Sequence, residues 1–334
     1  MSQQNASTRF PIQSLLSARL LLSPQLAEGR VYFLSDMSGV ISLYSMDQEG
    51  SMPEPLLPAG LALQNPHLMA GHNYHVLPKL GKILVMIDEN GNENYQPCFI
   101  PISGGIPEPI FKDQYKNEQL ACLHCDIEKN IAYFFRDDRK TPNIEGLRVD
   151  LATLEVTSLG KSLYGNNWNG VNKDHTIVIL ADGYTAGDTV LYIWRKGATE
   201  RQLSGFGTCN FTPEEKGLLV RTNLFSDEGS IGYVALDNPT NVIEVQILGL
   251  EHKGQGELVD LKTVHDELYL LEYNIDGCSW LYECRYREDK GQRRLEVTRR
   301  LCGLPPLEEG VLLGYDYELH KAPNQTKVGY TLSH

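Results

Sequence analysis

The sequence predicts an all-β protein, a seven-bladed β-propeller with a short N-terminal helix and a last blade left incomplete. Three observations carry this expectation. Seven times a short polar turn runs into an apolar, β-rich segment, most clearly at Glu28-Gly29 before Val31-Tyr32-Phe33-Leu34 and at Gly81-Lys82 before Ile83-Leu84-Val85-Met86-Ile87. The turn tips at 29, 81, 130, 175, 217, 267 and 327 are spaced 52, 49, 45, 42, 50 and 60 residues apart. A period near 50 with several strands per repeat marks a propeller. Finally, nearly everything after residue 18 reads as short strands between Gly, Pro, Asn and Asp turns.

The elements follow in order. Residues 8–18 predict a short helix, with Pro11 suited to a first helical position and Ile12, Leu15 and Leu16 at i, i+3, i+4. The propeller spans 19–334, with blades near 19–58, 67–111, 115–160, 164–204, 206–248, 256–301 and 310–334. First strands are expected near 23–26, 74–77, 119–123, 167–171, 207–211, 257–261 and 311–315. The second blade shows the repeat best. Tyr74 to Leu77 leads to the continuously apolar Ile83 to Ile87, then Asn94 to Ile100, then Glu108-Pro109-Ile110-Phe111 beyond the Ser103-Gly104-Gly105 turn. Blade six offers Ser279 to Cys284 as third strand and Arg294 to Thr298 as fourth. Blade seven supplies two strands, 311–315 and 328–332, where four are needed, so its completion is expected on further polypeptide.

Composition narrows the function. Thirty Lys+Arg against 43 Asp+Glu give a net charge of −13, which argues against nonspecific nucleic-acid binding. Seven cysteines without a regular framework do not read as a secreted disulfide scaffold. The polar N-terminus lacks a signal-peptide pattern, and no apolar run reaches membrane-spanning length. The expectation is a cytoplasmic protein with reduced thiols and no cofactor.

The order Asp88, Gly91-Asn92-Glu93, Phe99-Ile100-Pro101, Gly104-Gly105-Ile106-Pro107 resembles the propeller of the prolyl oligopeptidase family of serine peptidases, in its acylaminoacyl-peptidase and dipeptidyl-aminopeptidase branch. Ser23-Pro24-Gln25-Leu26 with Glu28-Gly29, Phe33-Leu34-Ser35-Asp36 and Ser38-Gly39 is similar to that propeller's first blade. Later blades depart from the pattern: Asn172-Lys173-Asp174-His175 and Thr212-Pro213-Glu214-Glu215 stand where the family often has Ser-Pro-Asp-Gly. TolB-type propellers share the layout. The resemblance implies an α/β-hydrolase domain, in cis beyond residue 334 or as a separate chain, and a propeller that restricts which peptides reach it. No G-x-S-x-G nucleophile elbow occurs in the 334 residues, so no catalytic residue carries over. Two alternatives stand beside this: a freestanding propeller scaffold, and a propeller-fold metal-dependent lyase.

Candidate site residues are few. His72 and His75 enter the first strand of blade two, and Arg136 and Arg139 follow the second strand of blade three; all four are candidates for substrate contact. Val328, Tyr330 and Leu332 would present an unpaired edge to a partner. Asp88 to Glu93 offers oxygens for calcium but misses the ligand spacing and reads as a turn. Cys122-Leu123-His124-Cys125 has zinc-type ligands but no second pair, so no metal is expected. The basic stretch from Arg285 to Arg300 reads as protection of an edge strand or as a docking surface for an acidic partner.

Overall fold

A computed structural model describes residues 19–66, 71–89, 91–185, 188–197, 202–206, 208–265, 267–303, 316–321 and 328–333. The helix expected at 8–18 and the strand expected at 311–315 lie outside them. The described chain is all-β, with one 3₁₀ turn at Pro78–Leu80.

The first sheet runs in order β1 (Leu22–Ala27), β2 (Arg30–Ser35), β3 (Ser42–Asp47), β4 (Glu54–Pro55). The second contains β5 (Ala62–Leu63), β6 (Tyr74–Leu77), β7 (Lys82–Asp88), β8 (Gln96–Pro101) and β9 (Glu108–Pro109). Here both β5 and β6 pair with β7, so two short strands share the position expected of Tyr74 to Leu77 alone. The third is β10 (Gln119–Asp126), β11 (Ile131–Asp137), β12 (Ile144–Asp150), β13 (Val156–Ser162), and the fourth β14 (Asn167–Val171), β15 (Ile177–Thr185), β16 (Asp188–Arg195), β17 (Gln202–Phe206). The fifth is β18 (Cys209–Phe211), β19 (Gly217–Thr222), β20 (Ser230–Ala235), β21 (Asn238–Leu248). The sixth is β22 (Gly256–His265), β23 (Leu268–Ile275), β24 (Cys278–Asp289), β25 (Gln292–Cys302). The last pair is β26 (Asp316–Lys321) and β27 (Val328–Ser333).

The chain divides into two compact units, 1–139 with 149–156, and 140–148 with 157–334. In the first unit, Tyr32, Leu34 and Leu43 of the first sheet pack with Tyr74, Val76, Ile83, Val85 and Ile100 of the second. Alternation of side chains along each strand places these residues on the facing surfaces. In the second unit, Leu219, Ile231, Tyr233 and Val245 of the fifth sheet share one core with Leu258, Tyr269, Leu271, Tyr282 and Leu295 of the sixth.

The repeat is written in the backbone. The tips located at 29, 81, 130 and 175 carry φ of +76°, +61°, +55° and +55°. Each is the left-handed corner of a hairpin, occupied by Gly twice, then Asn and His. The Gly104-Gly105 pair has a separate cause. A Cβ at Gly104 (φ +86°) would lie 2.9 Å from the Leu56 backbone, and Gly105 N–H donates to Leu56 O at 3.0 Å. Close approach of two backbone segments thus demands the glycine.

One difference from the expected layout is large. The fifth and sixth sheets are not separate: β21 pairs in parallel with β25, giving an eight-stranded sheet in the order β18-β19-β20-β21-β25-β24-β23-β22. The basic stretch therefore does not guard a free edge throughout. Arg294 is paired with Gln246, Arg285 and Arg287 reach Glu267, and Arg299 reaches Glu283.

Candidate functional site

Two polar clusters in the first unit contain the candidate residues. The first gathers His72, His75 and His124. His72 precedes β6, and its N–H donates to Cys122 O at 2.7 Å. That approach needs Gly71 (φ +107°), whose Cβ would meet Cys122 O at 2.6 Å. A register shift between Cys122 and His124 turns β10 locally, the usual effect of a bulge. The rings of His72 and His75 are 4.6 Å apart, and those of His124 and Tyr133 6.1 Å.

His75 is only 9% exposed, and its Nε2 has no hydrogen-bond partner among the described residues. Burial, with the neighbouring His72 and His124, holds its pKa well below the ordinary 6.5. His72 keeps exposed surface, although atoms crowded around its ring lower its pKa. Burial pushes the Cys125 thiol up to about 12 and Cys122 well above its usual 9.0. At neutral pH the cluster therefore holds a neutral buried imidazole and two protonated thiols, a poor setting for a thiolate nucleophile. Among the described residues, no group of three or more His, Cys, Asp or Glu is arranged to hold a metal.

The second cluster centres on Arg136. Its Nε and Nη2 meet Glu118 Oε2 and Oε1 at 2.5 and 3.0 Å, a two-pronged pair with little exposure. The guanidinium also lies 4.8 Å from the Tyr115 ring centroid. Arg136 is thus committed to binding the 115–118 loop. Gln96 Nε2 donates to the carbonyls of Glu118 and Tyr115 at 2.8 and 3.1 Å and fixes the same loop. Arg139 is more exposed. It adopts φ +56° and reaches Asn94 Oδ1 at 3.3 Å and Asp137 Oδ2 at 3.4 Å, tying two loops together. Asp88 Oδ1 accepts from Glu93 N, and Asn92 Oδ1 from Asn94 N, which makes 88–94 a hydrogen-bonded turn.

Val328, Tyr330 and Leu332 lie on β27, opposite Lys321, Leu319 and Tyr317 of β26. The residues not anticipated are His124 as a neighbour of His75, and Glu118 as the anion for Arg136. A signal for the first existed. His75 and His124 are 49 residues apart, the spacing between the tips at 81 and 130, so they hold equivalent places in adjacent repeats.

No protein-family profile matches the sequence, and no curated protein sequence matches it. Solved structures do. A prolyl endopeptidase, from a study of inter-domain dynamics in catalysis and specificity, aligns over 94% of this chain and 46% of its own, at 13% identity and a TM-score of 0.63. Prolyl oligopeptidase B from Galerina marginata aligns over 94% and 47%, at 11% and 0.61. Oligopeptidase B from Leishmania major aligns over 90% and 43%, at 12% and 0.56. The chain thus spans less than half the length of these structures. Its fold is that of the part it covers, consistent with the propeller domain of the prolyl oligopeptidase family.

Proposed function

We propose that this chain is the non-catalytic propeller of a prolyl-oligopeptidase-like serine peptidase and regulates peptide access to a hydrolase domain. The observation that carries the reading is the fold likeness over 94% of the chain to enzymes about twice its length. One of those, the Galerina marginata enzyme, was solved bound to a 35mer hydrolysis and macrocyclization substrate. The acylaminoacyl-peptidase and dipeptidyl-aminopeptidase branch is supported by the Gly104-Gly105-Ile106-Pro107 turn, whose first glycine has a steric cause. The hydrolase domain, in cis or on a second chain, supplies the serine and the acyl-enzyme chemistry.

This chain supplies walls and loops. Its candidate arginines are tied to loop carboxylates and amides, and its buried cysteine thiols are held protonated, so neither set suits bond cleavage. All seven cysteines are free, which fits a reducing, cytoplasmic setting. The purified chain is expected to leave aminoacyl and peptidyl chromogenic substrates at background. Turnover that a serine-directed covalent inhibitor abolishes would overturn the non-catalytic role.

A further inference from the structure

The β24–β25 hairpin is longer than the sheet that carries it. β23 covers β24 only as far as Arg285, which pairs with Leu268. Beyond that point, Tyr286–Asp289 and Gln292–Leu295 continue as a two-stranded overhang. It is closed at Lys290-Gly291, where φ of +50° and +82° match the right-handed twist of a tight hairpin. An isolated two-stranded ribbon of this kind is marginal in water, and this one carries Tyr286 and Leu295.

The overhang does not stand in water. Gln246, Ile247 and Leu248 of β21 pair in parallel with Arg294, Leu295 and Glu296. Leu295 is fully buried and Tyr286 is nearly so, in a core shared with Leu219, Ile231, Tyr233 and Val245 of the fifth sheet. Arg293 stacks its guanidinium 3.9 Å from the Tyr233 ring centroid and is held there by Glu288 Oε1 at 2.9 Å. Tyr233 can lie flat at this spot because residue 217 is glycine; a Cβ there would sit 2.3 Å from the ring. At the far end, Gly249 runs against Val297, and His252 packs among Tyr273, Trp280 and Tyr282, with Nδ1 2.9 Å from the Tyr282 hydroxyl.

Among the described residues no other two of these sheets share a strand ladder. The other neighbouring sheets are joined by side-chain packing and scattered hydrogen bonds, such as Leu63 N to Ile41 O at 3.0 Å, Val76 N to Gln25 Oε1 at 3.1 Å and His72 N to Cys122 O. Separating the fifth and sixth sheets would break a ladder and expose Tyr286 and Leu295 together, a loss of backbone pairing that no other seam among the described residues carries.

We propose that the 286–295 hairpin tip is a clasp that makes the fifth and sixth sheets one mechanical unit. Its consequence for gating rests on the function proposed above: peptide passage that requires sheets to part uses a different seam. The test is hydrogen exchange by mass spectrometry on the full chain. Segments 242–248 and 286–296 should exchange as slowly as the core strand 269–273. The variant Arg293→Ala should speed both segments together by about tenfold, the loss of a partly desolvated cation–π contact, while 31–34 in the first sheet stays unchanged. Fast exchange of 286–296 in the unaltered chain would overturn the clasp, as would a variant that frees one segment and not the other. Neither readout involves peptidase activity, so failure of the clasp and failure of the peptidase reading are separately visible.

Discussion

The first two sheets and the fifth and sixth sheets solve the same packing problem differently. Sheets one and two present a shared apolar core around Leu34, Tyr74 and Ile83, and their backbones touch only at isolated points such as Gly105 N to Leu56 O. Sheets five and six share a larger core and then fuse their outer strands through β21 and β25. The first pair also carries the clearest sequence motifs, and the second pair carries almost none. Motif clarity and mechanical continuity are therefore separate properties. Gly81 is dictated by the local backbone of its turn and Gly104 by the approach of Leu56 from the neighbouring sheet, and both stand in motifs that the sequence displays. The fused seam is dictated by how far one hairpin extends past its neighbour.

Core truncation is the strongest way to sharpen the comparison. Leu84 and Leu295 are both fully buried, one in each region. Replacing either by Ala is expected to cost about 2–5 kcal/mol in chemical denaturation, as for other buried leucines. Equal costs support a hairpin tip packed as tightly as a central strand. A cost for Leu295→Ala nearer about 0.5 kcal/mol, typical of a surface site, would break the equivalence.

Next in size is Arg136→Ala. The side chains of Arg136 and Glu118 are 19% and 11% exposed, so removing the guanidinium leaves a largely buried carboxylate without its main partner. The expected loss is about 1.5–3 kcal/mol, the range of hydrogen bonds to a charged group, read as a shift in the denaturation midpoint at unchanged slope. A neutral outcome would mean that the 115–118 loop is held by Gln96 alone.

The strand positions of both regions were legible. Tyr74–Leu77 was expected as a strand and is β6, and the strands expected near 119–123, 167–171 and 257–261 lie within β10, β14 and β22. Alternating burial and turn residues are local signals, and local signals survive in one sequence. The β21–β25 pairing did not show. It joins residues about 48 positions apart, and its register depends on an overhang whose basic residues read as a solvated edge. The influence of His124 on His75 was recoverable from the repeat spacing, because equivalent positions in adjacent repeats become neighbours. The Glu118–Arg136 pair had no such signal, since one partner lies in a loop of irregular length.

A pH series separates the regions further. His75 is held neutral in the folded chain, with its pKa well below 6.5. As pH falls below 6.5 the unfolded chain gains a proton that the folded chain refuses, so stability falls by at most about 1.4 kcal/mol per pH unit. The fall ends where the folded pKa is reached. His72, whose pKa is also lowered by the atoms around its ring, adds in the same direction. His252 in the sixth-sheet region is also lowered by burial and contributes in the same direction. His75→Gln should flatten the acid limb more than His252→Gln; the reverse ranking would place the pH-sensitive weakness in the second unit. The smallest effect is expected of Arg139→Ala, whose contacts at 3.3 and 3.4 Å lie at the surface and are worth about 0.5 kcal/mol or less.

The proposal to be tested is that this chain serves as the propeller of a serine hydrolase. The direct measurement is capture of the natural protein from its source with an antibody to this chain, followed by labelling with a fluorophosphonate serine probe. The account predicts a labelled serine on the same polypeptide or on a chain that co-purifies in equal amount. A captured protein with no labelled serine on either would contradict the account and favour a freestanding scaffold.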